Sequence, residues 1–216
     1  IEDIAVMRSI PNMTVLETGD ATEVESICAA ADSIDGPVYA RVLRGAVPRL
    51  FDTPIRVGEI RELSAGDDIL VVTSGITTEE AMRARTALDG AGVSIRHLHL
   101  HTIKPFNTAA MLDHIASVKG GVVTLENHVT EGGIGSLMAE IIADHGLGKK
   151  LVRLGLKDTY AHGGSRPYLM HHYGLDAIAL VRGIEALTGD RYDITEADLE
   201  AVRVEAVHSN VKAEGL

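Results

Sequence analysis

The chain contains no Trp, two Phe and five Tyr among 216 residues. Aromatic stacking cannot build its core, which must come from Val, Ile, Leu, Ala and Met. A single cysteine, Cys28, excludes an intrachain disulfide and any paired-cysteine metal or redox motif. It lies in EVESICAA (23–30), a helical pattern, and is expected as a small buried thiol. No apolar run approaches the roughly 20 residues needed to cross a bilayer, and no secretory apolar region opens the sequence. No membrane is therefore expected, and the cytoplasm is the expected compartment. Clustered Lys and Arg are missing too, and the formal charge is −11, which argues against a nucleic-acid partner.

What is present has the rhythm of an α/β protein. Ile1, Ile4 and Ala5 suit one face of a short helix that Pro11 ends, and MTVLET (13–18) reads as a strand. Asp20, with Glu23 three residues on, forms a capping-box variant that opens an alanine-rich helix to about Asp32. Gly36-Pro37 then turns into the strand VYARVL (38–43). This opening is a piece of a parallel sheet, and a start inside a helix suggests a truncated domain. Residues 45–63, with Pro48 and Pro54, read as a linker ending in the edge strand RVGEIREL (56–63). Four strands follow, DILVVTSG (68–75), VSIRHLHL (93–100), GVVTLE (121–126) and KLVRLGL (150–156). They alternate with helices over 78–88, 108–117, 135–145, 166–172 and 176–187, the pattern of a parallel, doubly wound sheet. A surface helix begun by Thr195 is expected over Asp193–Ala206.

Four groups of residues carry candidate chemistry. HLHLHTIKP (97–105) places His97, His99 and His101 on one strand face, roughly 6–7 Å apart. That spacing suits two ligands of a zinc site, or histidines that pack and hydrogen-bond in a strand at the centre of the sheet. His114 and His128 do not offer a paired third ligand. Glu126-Asn127-His128 ends a strand, and Glu131 to Ser136, with Gly132, Gly133 and Gly135, opens the next helix. The helix start could attract a phosphate, but the glycines match neither a P-loop nor the dinucleotide fingerprint, and a tight turn explains them as well. Ser165 as N-cap and Pro167 in the first turn account for Gly163 to Pro167 without a ligand. Arg41 and Arg44 stand at the end of a strand where α/β ligands bind. Arg44 is the better placed to hold a phosphate, and an ion pair with one of the many carboxylates is the alternative.

Taken together, IEDIAVMRSIPNM (1–13), GPVYARVLRGAVP (36–48), HTIKPFN (101–107) and TLENHVTEGGIGS (124–136) resemble, in order and spacing, the C-terminal half of transketolase, in particular the small subunit of split transketolases. The resemblance implies the C-terminal part of a pyrimidine-binding domain over 1–55, a linker over 56–63, a parallel-sheet transketolase C-terminal domain over 64–190 and a helical tail over 191–216. It implies thiamine diphosphate with Mg²⁺ in the complete enzyme, and transfer of a two-carbon ketol unit between sugar phosphates. Arg44 matches the family arginine that grips the sugar-phosphate end, whereas Arg41 matches no catalytic position. The family's catalytic glutamate, and the histidine and aromatic residues of its site, fall upstream of Ile1, and the diphosphate and metal ligands belong to another domain. No catalytic, cofactor-binding or metal-binding residue is therefore expected on this chain, which is expected to be inactive alone. The implied partner is an N-terminal transketolase section or large subunit, in a homodimer or heterotetramer. The histidines read as local variation ahead of Lys104-Pro105. Alternatives of the same superfamily are deoxyxylulose-phosphate synthase and the β-subunit of 2-oxoacid dehydrogenases, and a non-catalytic dimerisation module is a third.

Overall fold

A computed structural model of the protein describes residues 1–43, 45–202, 206 and 207. Helix α1 (Asp3–Ser9) stops ahead of Pro11 and leads into β1 (Thr14–Glu17), all of whose residues are buried. Helix α2 (Ala21–Asp32) starts where Asp20 accepts a hydrogen bond from Glu23 N at 2.8 Å. Glu23 reaches back to Gly19 N, one residue before the N-cap, so the capping box is displaced by one position. Strand β2 (Val38–Arg41) runs parallel to β1 and is two residues shorter than its sequence pattern. The free oxygen of Asp20 accepts from Leu50 N and Phe51 N, each at 2.9 Å. This ties the segment after β3 (Val47–Pro48) to the start of α2.

The later part of the chain forms β4 (Arg61–Ala65), β5 (Ile69–Thr73), α3 (Thr77–Gly90), β6 (Ile95–His99), β7 (Thr102–Lys104), α4 (Thr108–Ala116), β8 (Gly121–Val129), α5 (Ile134–Asp144), β9 (Leu151–Leu156), α6 (Arg166–His172) and α7 (Ala177–Thr188). One sheet has the order β4-β6-β5-β8-β9, parallel except for β4 at its edge. Val71, Ile95 and Leu125 pack on one face with Ala84 of α3 and Leu180 and Ile184 of α7. Leu70, Val72 and Leu98 pack on the other with Met111 of α4, Met138 of α5 and Ile4 of α1. The doubly wound reading holds, with both faces of the parallel strands covered.

Four expectations change. Cys28 is exposed, because α2 buries the face carrying Glu23 and Ile27, and the next residue lies about 100° round the helix. The histidine strand β6 is not central: it lies one strand in from the edge, between antiparallel β4 and parallel β5. The edge strand β4 spans residues on both sides of position 63, the expected end of the linker. Among the described residues the tail is helical only over α8 (Glu196–Glu200), where Thr195 and Asp198 form a capping box and Leu199 alone of the helix is buried. Beyond it β10 (Ala206–Val207) pairs antiparallel with β3, and 208–216 fall outside the described residues.

Strand β7 was not expected, and it completes the opening sheet. It pairs antiparallel with β1, giving the order β2-β1-β7. A strand buried along its whole length needs partners on both edges for its N–H and C=O groups, and β7 supplies the second.

Candidate functional site

The order of the parallel strands reverses between β5 and β8, and ligands of open α/β sheets bind beyond the carboxyl ends at such a point. Glu126 stands there near the end of β8, 1% exposed. Its carboxylate accepts from Ile134 N at 2.8 Å and Gly135 N at 2.9 Å. The start of α5, which the sequence leaves open to a phosphate, is thus capped from within the chain. The glycines serve this contact: a Cβ on Gly133 would overlap Glu126 Oε2, and one on Gly135 would sit 3.0 Å from Glu126 Oε1. Burial pushes the Glu126 carboxyl up to about 7, against the two N–H groups, and the nearby Glu17 adds to the rise. His128 caps another helix, since its Nε2 accepts from Ala5 N at 3.3 Å while its Nδ1 donates to Val129 O at 2.7 Å.

Arg41 is an ion-pairing residue. Its Nη1 lies 2.7 Å from Glu17 Oε1 and 2.9 Å from Asn127 O, and its Nε lies 2.9 Å from Asp3 Oδ2. Burial opposes the guanidinium charge, but Glu17 and Asp3 outweigh it and raise its pKa. Asp3 is correspondingly lowered, because Arg41 and the Tyr39 hydroxyl overcome the effect of burial. Arg44 lies outside the described residues. Two residues on, Ala46 O accepts from Arg166 Nη1 at 3.1 Å. A surface cleft there is lined by Gly19, Pro48, Ile76, Arg166, Pro167 and Met170. Ser165 occupies the N-cap position of α6 without a side-chain hydrogen bond, and Pro167 sits in the first turn.

The three histidines share a face and are fully buried. His97 Nε2 meets Thr73 Oγ1 at 2.9 Å, Thr73 Oγ1 meets Thr78 Oγ1 at 3.0 Å, and Thr78 Oγ1 meets His99 Nδ1 at 2.7 Å. Burial, then the charges of His99 and Arg85, depress His97 to about 3. The outer end of this chain of hydrogen bonds reaches Glu23, whose Oε2 lies 2.9 Å from His99 Nε2. Its Oε1 lies 3.5 Å from His101 Nδ1. Burial works to raise the Glu23 pKa, yet His99, the Gly19 N–H and His101 bring it below its ordinary value. His101 is lowered by burial, which outweighs the Arg56 carbonyl and Glu23. Sequence spacing could not supply Glu23 as a partner: it lies 76 residues before His99, and its only local signal was a helix cap.

Residues 58–180 match the family described as "Transketolase, C-terminal domain". The chain belongs to this family. A "Putative transketolase C-terminal section" of Methanocaldococcus jannaschii is 34% identical over 187 residues, covering 85% of this chain and 58% of that relative. The "6-deoxy-6-sulfo-D-fructose transketolase subunit SqwH" of a Clostridium species is 35% identical over 190 residues, covering 87% of the chain and 58% of the relative. A solved structure entitled "Split gene transketolase, inactive beta4 tetramer" superposes with a TM-score of 0.80 at 32% identity, covering 88% of this chain and 61% of that one. The chain thus spans under two thirds of the length of each of these transketolase relatives.

Thiamine diphosphate and Mg²⁺, implied by the resemblance to transketolase, meet an unfavourable set of groups here. The α5 terminus that could face a diphosphate is already filled by the Glu126 carboxyl, which takes the Ile134 and Gly135 N–H groups. Mg²⁺ prefers an all-oxygen shell that keeps several waters, whereas the buried cluster at Glu23 offers two imidazoles. Neither the α5 terminus nor the Glu23 cluster fits these groups.

Proposed function

We propose that the chain is the C-terminal section of a thiamine-diphosphate-dependent transketolase, acting in a complex with a separate N-terminal section and moving a two-carbon ketol unit between sugar phosphates. The observation that carries this reading is that 85% of the chain aligns with a relative named as a transketolase C-terminal section. The occupied helix terminus at Glu126 supports the further point that the cofactor is carried by the partner section, so that this chain alone is inactive. The likeness to a structure entitled as a split-gene β4 tetramer supports self-association of this chain; a homodimer or a heterotetramer with the N-terminal section is our assignment for the active complex, and the absence of a membrane-crossing helix among the described residues is compatible with a cytoplasmic enzyme.

Within that complex the part assigned to this chain is substrate placement. Arg44, which follows β2 and precedes β3 in sequence, would hold the sugar phosphate by paired charge-assisted hydrogen bonds. Arg41, locked to Glu17 and Asp3, keeps the end of β2 fixed against β1 and α1. The test is reconstitution with a candidate N-terminal section, thiamine diphosphate and Mg²⁺, assayed against a panel of sugar phosphates and against pyruvate. Ketol transfer by the mixture, with none from either section alone, is expected. Turnover of pyruvate in its place would assign the chain to the deoxyxylulose-phosphate synthase or 2-oxoacid dehydrogenase class, and a stable complex without turnover would leave a dimerisation module. In the active mixture Arg44→Ala is expected to raise KM for the phosphorylated substrate roughly 10- to 100-fold with a smaller change in kcat, the size of one lost charge-assisted contact.

A further inference from the structure

We infer that Glu23, His99 and His101 form a binding site for one zinc-class divalent cation, fastening α2 to the end of β6. All three side chains are fully buried, and one ligand atom from each lies within 4.8 Å of the others. The orphaned atoms make the case. Glu23 Oε1 and His101 Nδ1 have no hydrogen-bond partner and face each other at 3.5 Å. His101 Nε2 lies 2.8 Å from Arg56 O, a group that can only accept, so Nε2 carries the proton and Nδ1 of the neutral ring presents a lone pair. A carboxylate oxygen and an imidazole lone pair thus point into one buried space. A shared cation resolves this conflict.

Arg61 does not resolve it. Its Nη2 is 3.5 Å from Glu23 Oε1 and donates instead to Thr53 O at 3.1 Å and Pro54 O at 3.3 Å, its Nη1 donates to Thr53 Oγ1 at 2.6 Å, and its Nε is buried without a partner of its own, so the guanidinium makes no hydrogen bond to the carboxylate. The guanidinium also lies over the Phe51 ring, 4.4 Å from its centre. The donor set of two imidazoles and a carboxylate is one that zinc takes, and ligands of a tetrahedral zinc lie about 3.3 Å apart. The separations, 2.9 Å from Glu23 Oε2 to His99 Nε2 and 3.5 Å from Glu23 Oε1 to His101 Nδ1, run from the two different carboxylate oxygens and lie on either side of that distance. A fourth position would fall to a water or to the second carboxylate oxygen.

The surrounding groups also suit a metal. Ligating histidines characteristically donate their other N–H to a carbonyl or another fixed acceptor, which sets the ring orientation. Arg56 O does this for His101, and Thr78 Oγ1 stands in the same relation to His99. The hydroxyl chain permits it. With His99 Nδ1 donating to Thr78, Thr78 to Thr73 and Thr73 to His97 Nε2, each of these links is made and His99 Nε2 is left with a free lone pair toward Glu23, while the His97 proton sits on Nδ1, which has no partner. In the opposite direction His99 Nε2 donates to Glu23. Cation binding therefore selects one of the two directions of this chain.

The site is closed, so loading belongs to folding, and the test uses the full chain produced in zinc- or cobalt-supplemented medium and then dialysed against metal-free buffer. Elemental analysis is expected to find about one zinc per chain, and the cobalt form to show visible d–d bands of a tetrahedral centre. Glu23→Gln and His101→Asn should each lower retained metal roughly 10-fold or more, while His171→Asn, a change at an exposed histidine, should leave it intact. Absence of both retained zinc and the cobalt bands in the wild-type chain would overturn the inference and leave a proton between Glu23 and His101. So would equal metal retention in the wild type and the two cluster variants. If the variants do not fold, the wild-type zinc content and cobalt spectrum decide alone.

Discussion

Glu126 and His97 are buried titratable groups whose effects on stability have opposite signs. The Glu126 carboxyl is raised from an ordinary 4.5 to about 7 in the folded chain, so between these values the folded state binds more protons than the unfolded one. Its contribution is greatest at low pH and is lost as pH rises to about 7, on the order of 3 kcal/mol in all. His97 is lowered from 6.5 to about 3, so its contribution is present above pH 6.5 and is lost as pH falls toward 3. Each is read as wild type minus variant in urea unfolding. The difference for Glu126→Gln should shrink as pH climbs from 4.5 to 7, and that for His97→Gln should grow as pH climbs from 3 to 6.5; a flat difference in either case counts against the assigned shift. The sequence already marks Glu126 and His128 as polar groups at a strand end beside a glycine turn. That they cap two different helices was not legible, because the start of α1 lies over 120 residues from its cap.

Helix starts are where local sequence and distant chain meet in this protein. Asp20 was legible as an N-cap because its bond to Glu23 N spans three residues. Its second oxygen, serving Leu50 N and Phe51 N from a segment 30 residues away, has no local signature. Asp20→Ala therefore removes three acceptor contacts rather than one, and should cost about 2–4 kcal/mol in equilibrium denaturation, above the ~1 kcal/mol usual for a cap. At the start of α5, Gly133→Ala should cost about 1–3 kcal/mol, since the added methyl overlaps the Glu126 carboxylate. An unchanged urea midpoint would mean that Glu126 can leave the helix terminus freely. Among strands, β5 and β8 were legible from buried β-branched runs and β6 and β9 from short apolar stretches alternating with helical ones, but β7 was not. It has three residues, and its partner β1 lies almost 90 residues earlier.

Across the whole molecule, the opening strands and the later sheet are joined by backbone as well as by side chains. β7 completes the sheet of β1 and β2, Val129 N donates to Ile1 O at 3.0 Å, and Arg41 reaches Asn127 O. The described chain should then unfold in one cooperative transition, with coincident midpoints from far-ultraviolet circular dichroism and from tyrosine fluorescence. Two separated transitions would show that these joins contribute little. The sequence by itself determined the α/β class, the doubly wound order of helices and strands, the capping at Asp20 and Thr195, and the resemblance to the transketolase C-terminal half. All of these rest on periodicity or on short motifs, whose interactions span a few residues. Only the tertiary structure decided that Glu126 fills the glycine-rich helix start, that Arg41 is an ion-pair member, and that Glu23 joins His99 and His101. Each of these depends on a side chain meeting a partner from a distant segment after the sheets have assembled, and such contacts leave no mark in local spacing.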